Sequence, residues 1–510
     1  MRPEGPVFLK ELIHLLFYFM VLKGKLSGTI SPWVSNLLLF LLIVGAHICF
    51  KVPYLNNSGF WYDEVSQLFY SQQDWGLIKH TSEWNRNAPL YYYFIYIWRN
   101  LFGDGEVAIR MSSVIFSSLA AGVLFMTIKK HFGKLAALIT LILFTFSNEN
   151  YFYSQETSVH SAIVFLTVSS FWFFFNLLDK KSIFSLIMLS ACNFLLVYGQ
   201  YITVLVPVLQ FVSVLFLFKK DIFKRVGLSF LIAVLLAAWR FTYKNMYLIL
   251  GPENISAQKA PTLDYLKHVT FTLLNGQMFF WIFAGVILFC FVYLLFTKRF
   301  IYPERSNNIK LTAVFLTGVA GILISYFLYF IMTGFGTDQF LFLTPLLFSF
   351  IGIMVSRPGN EIRYAVAGAT LFLSMCLYVK LQTNVKKSMD YRSAMHTIKR
   401  IKKRVKDVAV IVETRDIGFL FAYYYDREIF HDYKGMEDRL KEQNIFLVST
   451  KDDLEAMGLE RFDKVLLVQT YDEQNPGHKL MMRRIGYQLA SYVNYWNYLN
   501  VHLTIHYCKK

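Results

Sequence analysis

Three carboxylates stand out because they lie in short polar segments of an otherwise apolar sequence. Asp63 and Glu64 end the run Phe60–Glu64 in the first long polar gap, and Glu156 ends the later segment Tyr153–Glu156. A carboxylate can take the proton from a hydroxyl or amine as that group attacks, and such general-base catalysis typically contributes about 10² to 10⁴ in rate. We therefore treat Asp63, Glu64 and Glu156 as candidate catalytic residues.

The composition indicates a polytopic α-helical membrane protein. Of the 510 residues, 55% are hydrophobic and only 17% are charged, and the mean hydropathy is +0.41, which is too apolar for a soluble enzyme. The formal net charge of +17 is explained by lysines and arginines in cytoplasmic loops and at the lipid surface. No soluble basic face is visible, so nucleic acid is not an expected partner. The five cysteines are not spaced like a metal site or a disulfide framework.

Eleven apolar segments approach the roughly 20 residues that a membrane-spanning helix requires. A twelfth segment, 88–102, is about three-quarters of a bilayer long and is rich in Tyr and Trp, which is typical of a helix lying in the membrane interface. We therefore predict about eleven transmembrane helices, with 88–102 outside the set. The predicted spans are 34–51, 107–128, 133–149, 157–178, 182–199, 201–218, 226–243, 277–296, 311–333, 340–356 and 364–380.

The distribution of basic residues predicts which loops face the cytoplasm. If the segment 1–33, expected to be amphipathic, is cytoplasmic and 88–102 does not cross, every short basic loop falls inside. A crossing at 88–102 would invert all downstream loops, so we favour the interfacial helix. The opposite loops, which contain no Lys or Arg, are 150–156, 200 and 334–339.

This topology brings Asp63, Glu156 and Arg110 to the same extracytoplasmic boundary. An arginine suits a phosphate leaving group, because its fork donates two hydrogen bonds and stays charged at the edge of lipid. At this depth the phosphate can be attached to a polyprenyl chain that remains in the bilayer. Carboxylates and an arginine at such a boundary therefore indicate sugar transfer from a lipid-phosphate donor. Each residue has a plainer explanation as well. The acidic pair can be solvated surface, Arg110 can snorkel to the interface, and Glu156 can complement the dipole of the helix that follows it.

The order and spacing of four motifs resemble those of a known family. The motifs are Trp61–Glu64, Ala88–Tyr93, Leu101–Ser113 and Tyr153–Glu156. They are similar to motifs of the lipid-linked-sugar glycosyltransferases with the GT-C fold, in the branch that includes protein O-mannosyltransferases and the lipid A aminoarabinose transferase. The motif-bearing resemblance covers about residues 30–220; beyond it only the pattern of spans and a terminal soluble domain match.

The resemblance implies a role for each acidic residue. Asp63 would be the base or would orient the acceptor, Glu64 would support it, and Glu156 would be the second acidic residue of the site. Arg110 would bind the donor phosphate or belong to the acidic network, and Pro89 with Leu90 would fix the helix that walls the cavity. A single base opposite a phosphate leaving group implies inversion at the anomeric carbon. We also assign donor binding to Tyr62, Tyr91, Tyr153 and Gln155, although tyrosines at this depth are by default interface anchors.

The chain departs from the family at three places. Many members continue the second acidic motif as Gln-Glu-Ala-Arg, whereas this chain has Thr157–His160, so one expected arginine is missing. A His-Tyr pair at the outer end of a later helix is replaced by Gln200–Tyr201, and an Arg-Tyr pair before the last spans by Asp338–Phe340. Phosphate binding would then depend on Arg110, with further candidates in or near the large outer loop 244–276. These candidates are Arg240, Lys244 and Lys259.

The sequence after the last span predicts a small soluble α/β domain. A basic helix begins around Tyr391, and its charges suit anionic head groups. The domains are therefore 1–33, a transmembrane domain 34–380 with the extracytoplasmic loop 52–106, and an extracytoplasmic domain 381–510. The domain has no Gly-rich phosphate loop and no nucleophile elbow. Its strands are expected at 408–413, 445–449, 464–470 and 501–507, and its helices near 416–424, 435–442 and 451–458.

The reaction expected from these features is transfer of a hexose or pentose from a polyprenyl-phosphate donor to a lipid, glycan or protein acceptor. A lipid-linked-sugar flippase or transporter is an alternative, but it would keep charged residues in mid-span, and the predicted spans are nearly free of them. An inactive scaffold for another glycosyltransferase is a second alternative, supported by the missing arginine and histidine. No metal site is assigned, although a divalent cation at the acidic pair stays possible. The absence of a lumenal retention signal, of a Sec-type signal and of long loops favours a bacterial inner membrane.

Overall fold

The structure is a computed structural model of the chain. It describes residues 31–56, 58–73, 75, 78, 89–215, 220–238, 263–297, 305–324, 337–358, 362–364, 368–369, 391–405, 407–413, 418–448, 459, 462, 464–470, 488–496 and 502–509.

The first part of the chain is a bundle of helices. Besides α-helices, the described residues include short 3-10 helices and one π-helical turn. The 3-10 helices are Val52–Tyr54, Tyr201–Val204 and Thr337–Leu343, and the π-helical turn is Leu316–Ala320. The α-helices are α1 Pro32–Lys51, α2 Tyr62–Tyr70, α3 Pro89–Phe102, α4 Glu106–Phe132, α5 Lys134–Thr145, α6 Asn148–Ser154, α7 Val159–Lys180, α8 Ile183–Gly199, α9 Leu205–Leu215, α10 Lys220–Ala237, α11 Leu263–Leu273, α12 Gln277–Phe296, α13 Arg305–Phe315 and α14 Thr344–Ser356.

The predicted multi-pass membrane architecture is confirmed. Within the described residues, 6 helices are long and apolar enough to cross a membrane, or 7 if the bent pair of α5 and α6 counts as one span. The predicted spans at 182–199 and 201–218 are present as shorter apolar helices. The helix expected at 226–243 begins earlier, at Lys220, because its charged first turns continue the helix beyond the apolar stretch. Most of the span predicted at 364–380 lies outside the described residues.

The segment predicted as one span at 133–149 is instead broken. α5 ends at Thr145, and α6 leaves it at an angle of 62°. Ser147 caps α6 by accepting a hydrogen bond from the Asn150 backbone N–H (3.4 Å), and the Asn150 amide donates to Thr344 Oγ1 (2.8 Å) at the start of α14. The bend therefore lays residues 148–154 across the end of the bundle, where the sequence analysis expected a loop.

Polar contacts place the basic turns together at one end of the bundle. Lys310 of α13 donates to Asp179 of α7 (2.6 Å), and its Nζ lies 3.0 Å from His131 Nδ1 of α4. Arg225 of α10 donates to the Lys181 carbonyl (2.8 Å). The segments that carry Asp63, Glu156 and Asp338 lie at the other end, which we call the site face. The basic turns and the acidic segments therefore lie at opposite ends of the bundle.

A small α/β domain follows and confirms the predicted fold class. Its helices are α15 Tyr391–Arg404, α16 Gly418–Tyr425, α17 Arg427–His431 and α18 Met436–Glu442, and its strands are β1 Val408–Glu413, β2 Ile445–Val448, β3 Lys464–Thr470, β4 Gln488–Trp496 and β5 His502–Lys509. The sheet order is β2-β1-β3-β5-β4, with β1 parallel to β2 and β3, and β5 antiparallel to β3 and β4. The sequence analysis missed β4, and the helix expected at 451–458 lies outside the described residues.

The α/β domain shares a hydrophobic core with the loop that carries the acidic pair. Phe69 of α2 stacks on Phe419 of α16, with ring centroids 5.3 Å apart. Tyr424 donates to Glu106 (2.5 Å) at the start of α4, and its hydroxyl also accepts from the Phe60 N–H. The domain is therefore packed directly against the segment that positions Asp63 and Glu64.

Packing of the bundle predicts a clear effect at Gly352. A Cβ atom added there would lie 2.8 Å from the Ala136 carbonyl and would also meet the Thr140 hydroxyl, because α14 packs closely against α5. We expect Gly352→Ala to destabilise the protein by about 1–3 kcal/mol. The thermal unfolding midpoint of the purified protein measures this. Gly285→Ala is the matched control, since a Cβ there meets nothing within 4 Å, and an equal loss in both variants would contradict the packing described.

Candidate functional site

The site is built around Glu64, which is 1% exposed at the start of α2. Its Oε2 accepts the Trp61 backbone N–H (2.9 Å), so the carboxylate caps its own helix, where negative charge complements the dipole. Its Oε1 accepts the Thr157 N–H (2.9 Å) from the turn between α6 and α7. One buried carboxylate therefore ties together the two acidic motifs, which are 93 residues apart.

Arg110 completes this network from α4. Its Nε donates to Glu64 Oε1 (2.7 Å) and its Nη2 to Glu64 Oε2 (2.6 Å), a bidentate ion pair. Nη1 donates to the carbonyls of Leu55 (2.7 Å) and Ser58 (2.8 Å), and Nη2 also donates to the carbonyl of Gly59 (2.8 Å). These bonds use all five donors of a guanidinium.

The geometry bears on the expected roles of both residues. Every Arg110 donor is used within the protein, which fits membership of the acidic network, one of its two expected roles. Glu64 has both oxygens engaged by protein donors at the start of α2, which fits its expected role as the supporting partner of Asp63.

Asp63 lies one residue before Glu64, and its side chain is exposed. Partial desolvation of the carboxyl raises the pKa of Asp63 above its ordinary value, and the Asp338 charge acts in the same direction. A hydrogen bond with the Trp61 side chain and the charge of His160 act in the opposite direction on this pKa. A carboxylate with a raised pKa is a stronger base than an ordinary aspartate, which suits a general base.

His160 and Asp338 are functional-site residues that the sequence analysis did not assign. His160 Nε2 lies 3.0 Å from Asp338 Oδ2, and its ring meets the Tyr153 ring edge to face at 4.9 Å between centroids. Both positions had been noted only as departures from the family pattern. The two residues lie in segments that depart from the family motifs, which is a weak signal, and their contact could not be read from the sequence.

The other predicted residues divide between the site and the surrounding packing. Glu156 is 8% exposed, and Gln155 is 6% exposed and donates its amide to the Lys51 carbonyl (3.1 Å). Tyr91 is buried in α3, and burial together with the charges of Glu64 and Glu156 raises its pKa. The ring of Tyr62 packs against Phe419 (5.1 Å between centroids), which directs it into the α/β domain.

Three of the proposed cationic ligands cannot be placed, since Arg240, Lys244 and Lys259 lie outside the described residues. Within the described part of the chain, no group of three or more His, Cys, Asp or Glu side chains is arranged to hold a metal ion. The acidic pair also lacks the geometry for a cation held by both residues, because the Glu64 oxygens are bonded to Arg110, Trp61 and Thr157.

A large apolar cavity of about 1300 Å³ opens between α11, α12, α13 and α14. Its lining includes Leu274, Phe280, Leu323 and Phe350. The cavity begins close to the site face, because the Asn275 amide at the end of α11 accepts the Asn148 N–H (2.7 Å) at the start of α6. An apolar space of this size can accommodate a long hydrocarbon chain.

Comparison with known proteins agrees with this architecture. Residues 86–249 match the profile of the family described as dolichyl-phosphate-mannose-protein mannosyltransferase. The structure resembles ArnT from Cupriavidus metallidurans bound to undecaprenyl phosphate, with a TM-score of 0.57 at 11% identity over 92% of this chain and 97% of ArnT. ArnT in the apo state gives a TM-score of 0.59 at 11% identity over 93% of this chain and 98% of ArnT.

No curated protein sequence matches the chain significantly. The expected GT-C fold is nevertheless confirmed by the structures, and the family profile agrees with the expected branch over residues 86–249. The chain is therefore an integral, multi-pass membrane protein with the GT-C fold, and its residues 86–249 are similar to the protein mannosyltransferase family.

Proposed function

We propose that the protein transfers a sugar from a polyprenyl-phosphate donor to an extracytoplasmic acceptor, with inversion at the anomeric carbon. The observation that carries the proposal is the position of Asp63. Its carboxyl is partly desolvated at the site face, on a helix start fixed by the buried Glu64–Arg110 pair.

The proposed reaction needs one base and one leaving group. Asp63 takes the proton of the acceptor hydroxyl or amine while the acceptor atom attacks the anomeric carbon from the side opposite the phosphate. The bond from that carbon to the phosphate oxygen breaks, and polyprenyl phosphate leaves with the bonding electrons. Attack opposite the leaving group inverts the configuration. Glu156 and Tyr153 line the same site, which supports roles in holding the sugar.

The apolar cavity supports a lipid-linked donor. Its lining residues would contact the polyprenyl tail, and its end at Leu274 adjoins Asn275, which accepts the Asn148 N–H at the start of α6 on the site face. ArnT, which shares the fold, was solved with undecaprenyl phosphate bound. Because all Arg110 N–H groups are bonded within the protein, other cationic side chains would bind the phosphate. Arg240, Lys244 and Lys259 stay the candidates. The acceptor would be a lipid, glycan or protein of the cell envelope.

We also propose that the site face is extracytoplasmic, in a bacterial inner membrane, with the domain 381–510 covering the site and contributing to acceptor choice. The packing of α16 on α2 supports contact between that domain and the acidic loop. The lack of Lys and Arg in the turn before α7 and at Gln200 supports this orientation.

The function is tested with the purified protein in lipid nanodiscs. Polyprenyl-phosphate-linked hexoses and pentoses are supplied as donors. We expect release of polyprenyl phosphate from at least one donor, and a product whose anomeric configuration, read by NMR, is opposite to that of the donor. Retention of configuration would contradict the single-base mechanism. Binding of donors without consumption would support a scaffold, and movement of intact donor between leaflets would support a flippase.

A further inference from the structure

A second cavity, of about 670 Å³, lies where the α/β domain meets the start of α4, and we call it the junction cavity. One wall consists of the first turn of α4 together with Asn56, and the other consists of side chains from α15, α16 and the start of α17. Its volume lies within the roughly 300–1,000 Å³ that is typical of small-molecule sites. Most of its lining side chains are charged or aromatic, in contrast to the apolar cavity of the bundle.

The junction cavity carries more positive than negative charge. Arg392, Lys399 and Arg427 line it, against one lining carboxylate, that of Glu106. Glu106 is already paired, because Arg392 donates to both of its carboxylate oxygens. Arg427 donates to Asp104 from its Nη1 (3.2 Å), so the neighbouring carboxylate is paired as well. The nearby acidic groups therefore do not neutralise the third cation.

That third cation is Lys399, which lies on the exposed face of α15. Among the residues that the structure describes, its ammonium has no hydrogen bond and no carboxylate partner. The ammonium lies 5.6 Å from the centroid of the Tyr425 ring, which also lines the cavity. A lysine held at a cavity wall without an acidic partner can bind an anionic group that enters the cavity.

A phosphate group matches these side chains better than a carboxylate does. A phosphate ester carries a charge of about −1.5 to −2 at pH 7 and has three strong acceptor oxygens. Lysine binds phosphate as a point charge, and a guanidinium binds it through directed N–H donors. Lys399 and Arg392 both belong to α15, and Arg427 lies across the cavity at the start of α17. Cations from two helices can therefore contact different oxygens of one phosphate.

We propose that the junction cavity binds a phosphate group, with Lys399 as its main ligand and with Arg392 and Arg427 beside it. The group is carried by a lipid head group or by a soluble phosphate compound, and the ligand chemistry is the same for both sources. This binding site is additional to the sugar transfer proposed above and does not depend on it.

Hydrogen bonds connect the junction cavity to the loop that precedes the acidic pair. Asn56 Oδ1 accepts a hydrogen bond from Arg392 Nη2 (2.9 Å). The Tyr424 hydroxyl donates to Glu106 and accepts the Phe60 N–H. A phosphate bound by the cations of α15 and α17 therefore strengthens the attachment of the α/β domain to this loop.

The experiment measures binding of two radiolabelled probes, orthophosphate and phosphatidic acid, to the full-length protein in neutral detergent. Lys399→Gln removes the charge of the cation that has no described partner. Val107→Phe adds volume at the cavity wall without changing charge. Lys403→Gln is the matched control, because it neutralises an exposed lysine of the same helix that does not line the cavity.

We expect the wild type to bind one phosphate, saturably, from at least one probe. Lys399→Gln is expected to weaken this binding about tenfold or more, as for the loss of a hydrogen bond to a charged group. Val107→Phe should weaken it as well, and Lys403→Gln should change it at most about twofold. Binding of orthophosphate assigns a soluble phosphate compound to the cavity, and binding of phosphatidic acid alone assigns a lipid head group.

Three results would overturn the proposal. The first is the absence of saturable binding of either probe by the wild type. The second is equal weakening in Lys399→Gln and Lys403→Gln, which would indicate diffuse attraction to the basic helix. The third is unchanged binding in Val107→Phe, which would put the phosphate outside the cavity. Because neither probe takes part in sugar transfer, these results do not depend on whether the proposed function is correct.

Discussion

Asp63→Asn is expected to lower the rate of sugar transfer at least about 100-fold, because the amide cannot take the acceptor proton. The substitution removes a charge but almost no volume from an exposed position, so the fold should persist. The initial rate of polyprenyl phosphate release at saturating donor measures the loss. Donor affinity is expected to change little, since the carboxylate acts on the acceptor and not on the donor phosphate.

Asp264→Asn is the matched control for this change. Asp264 is an exposed carboxylate on α11 that pairs only with Lys267 (3.0 Å) among the contacts seen in the described structure. Its neutralisation is expected to leave the transfer rate within about twofold of the wild type, in line with the small energies of exposed ion pairs. A similar loss in Asp264→Asn and Asp63→Asn would show that the assay responds to surface charge and would remove the case for a base at Asp63.

Arg110→Ala is expected to destabilise the protein by about 3–5 kcal/mol, because it leaves a buried charge without its partner. Glu64 would lose two of its four hydrogen bonds, and the carbonyls of Leu55, Ser58 and Gly59 would lose their donor. Arg110→Lys should also destabilise, since an ammonium cannot reproduce the planar fork. The unfolding midpoint of the purified protein, by heat or denaturant, measures both variants.

Lys267→Ala provides the comparison, because it removes one partner of an exposed ion pair. We expect it to lower the free energy of unfolding by at most about 1 kcal/mol. If Arg110 instead bound the donor phosphate, Arg110→Ala would weaken donor binding while leaving the unfolding midpoint unchanged. That outcome would contradict the buried network as described.

Much of the architecture could be predicted from the sequence. The apolar segments at 34–51, 107–128 and 157–178 were long enough to be recognised by hydropathy alone, and the structure has helices there. Strands β1, β2 and β3 were recognisable as short apolar runs bounded by polar residues. The bend after Thr145 was not, because Ser147, which caps α6, was counted among the last residues of the predicted span 133–149.

Strand β4 was missed for a related reason. Its sequence, Gln488–Trp496, mixes Ser, Asn and Tyr with few aliphatic residues, so it lacks the apolar run that marks the other strands. It is an outer strand in the sheet order and pairs with β5 alone among the described strands, where strong apolar patterning is not required.

Part of the arrangement around the acidic pair could be expected from the predicted topology, which brings Asp63, Arg110 and Glu156 to one boundary. In the structure Arg110 contacts Glu64. The path of residues 55–59 decides which Arg110 N–H groups donate to backbone carbonyls. That path cannot be inferred from the spacing of the motifs. The pairing of His160 with Asp338 likewise depends on the packing of α7 against the segment before α14.

The most direct test of the central claim is a single turnover of bound donor. A stoichiometric amount of the polyprenyl-phosphate sugar identified as substrate is bound to the wild type and to Asp63→Asn, acceptor is added, and samples are quenched over time. We predict that the wild type converts the bound donor to polyprenyl phosphate and glycosylated acceptor, while Asp63→Asn binds the same donor and leaves it intact. Conversion at equal rates by both proteins would contradict the assignment of Asp63 as the base.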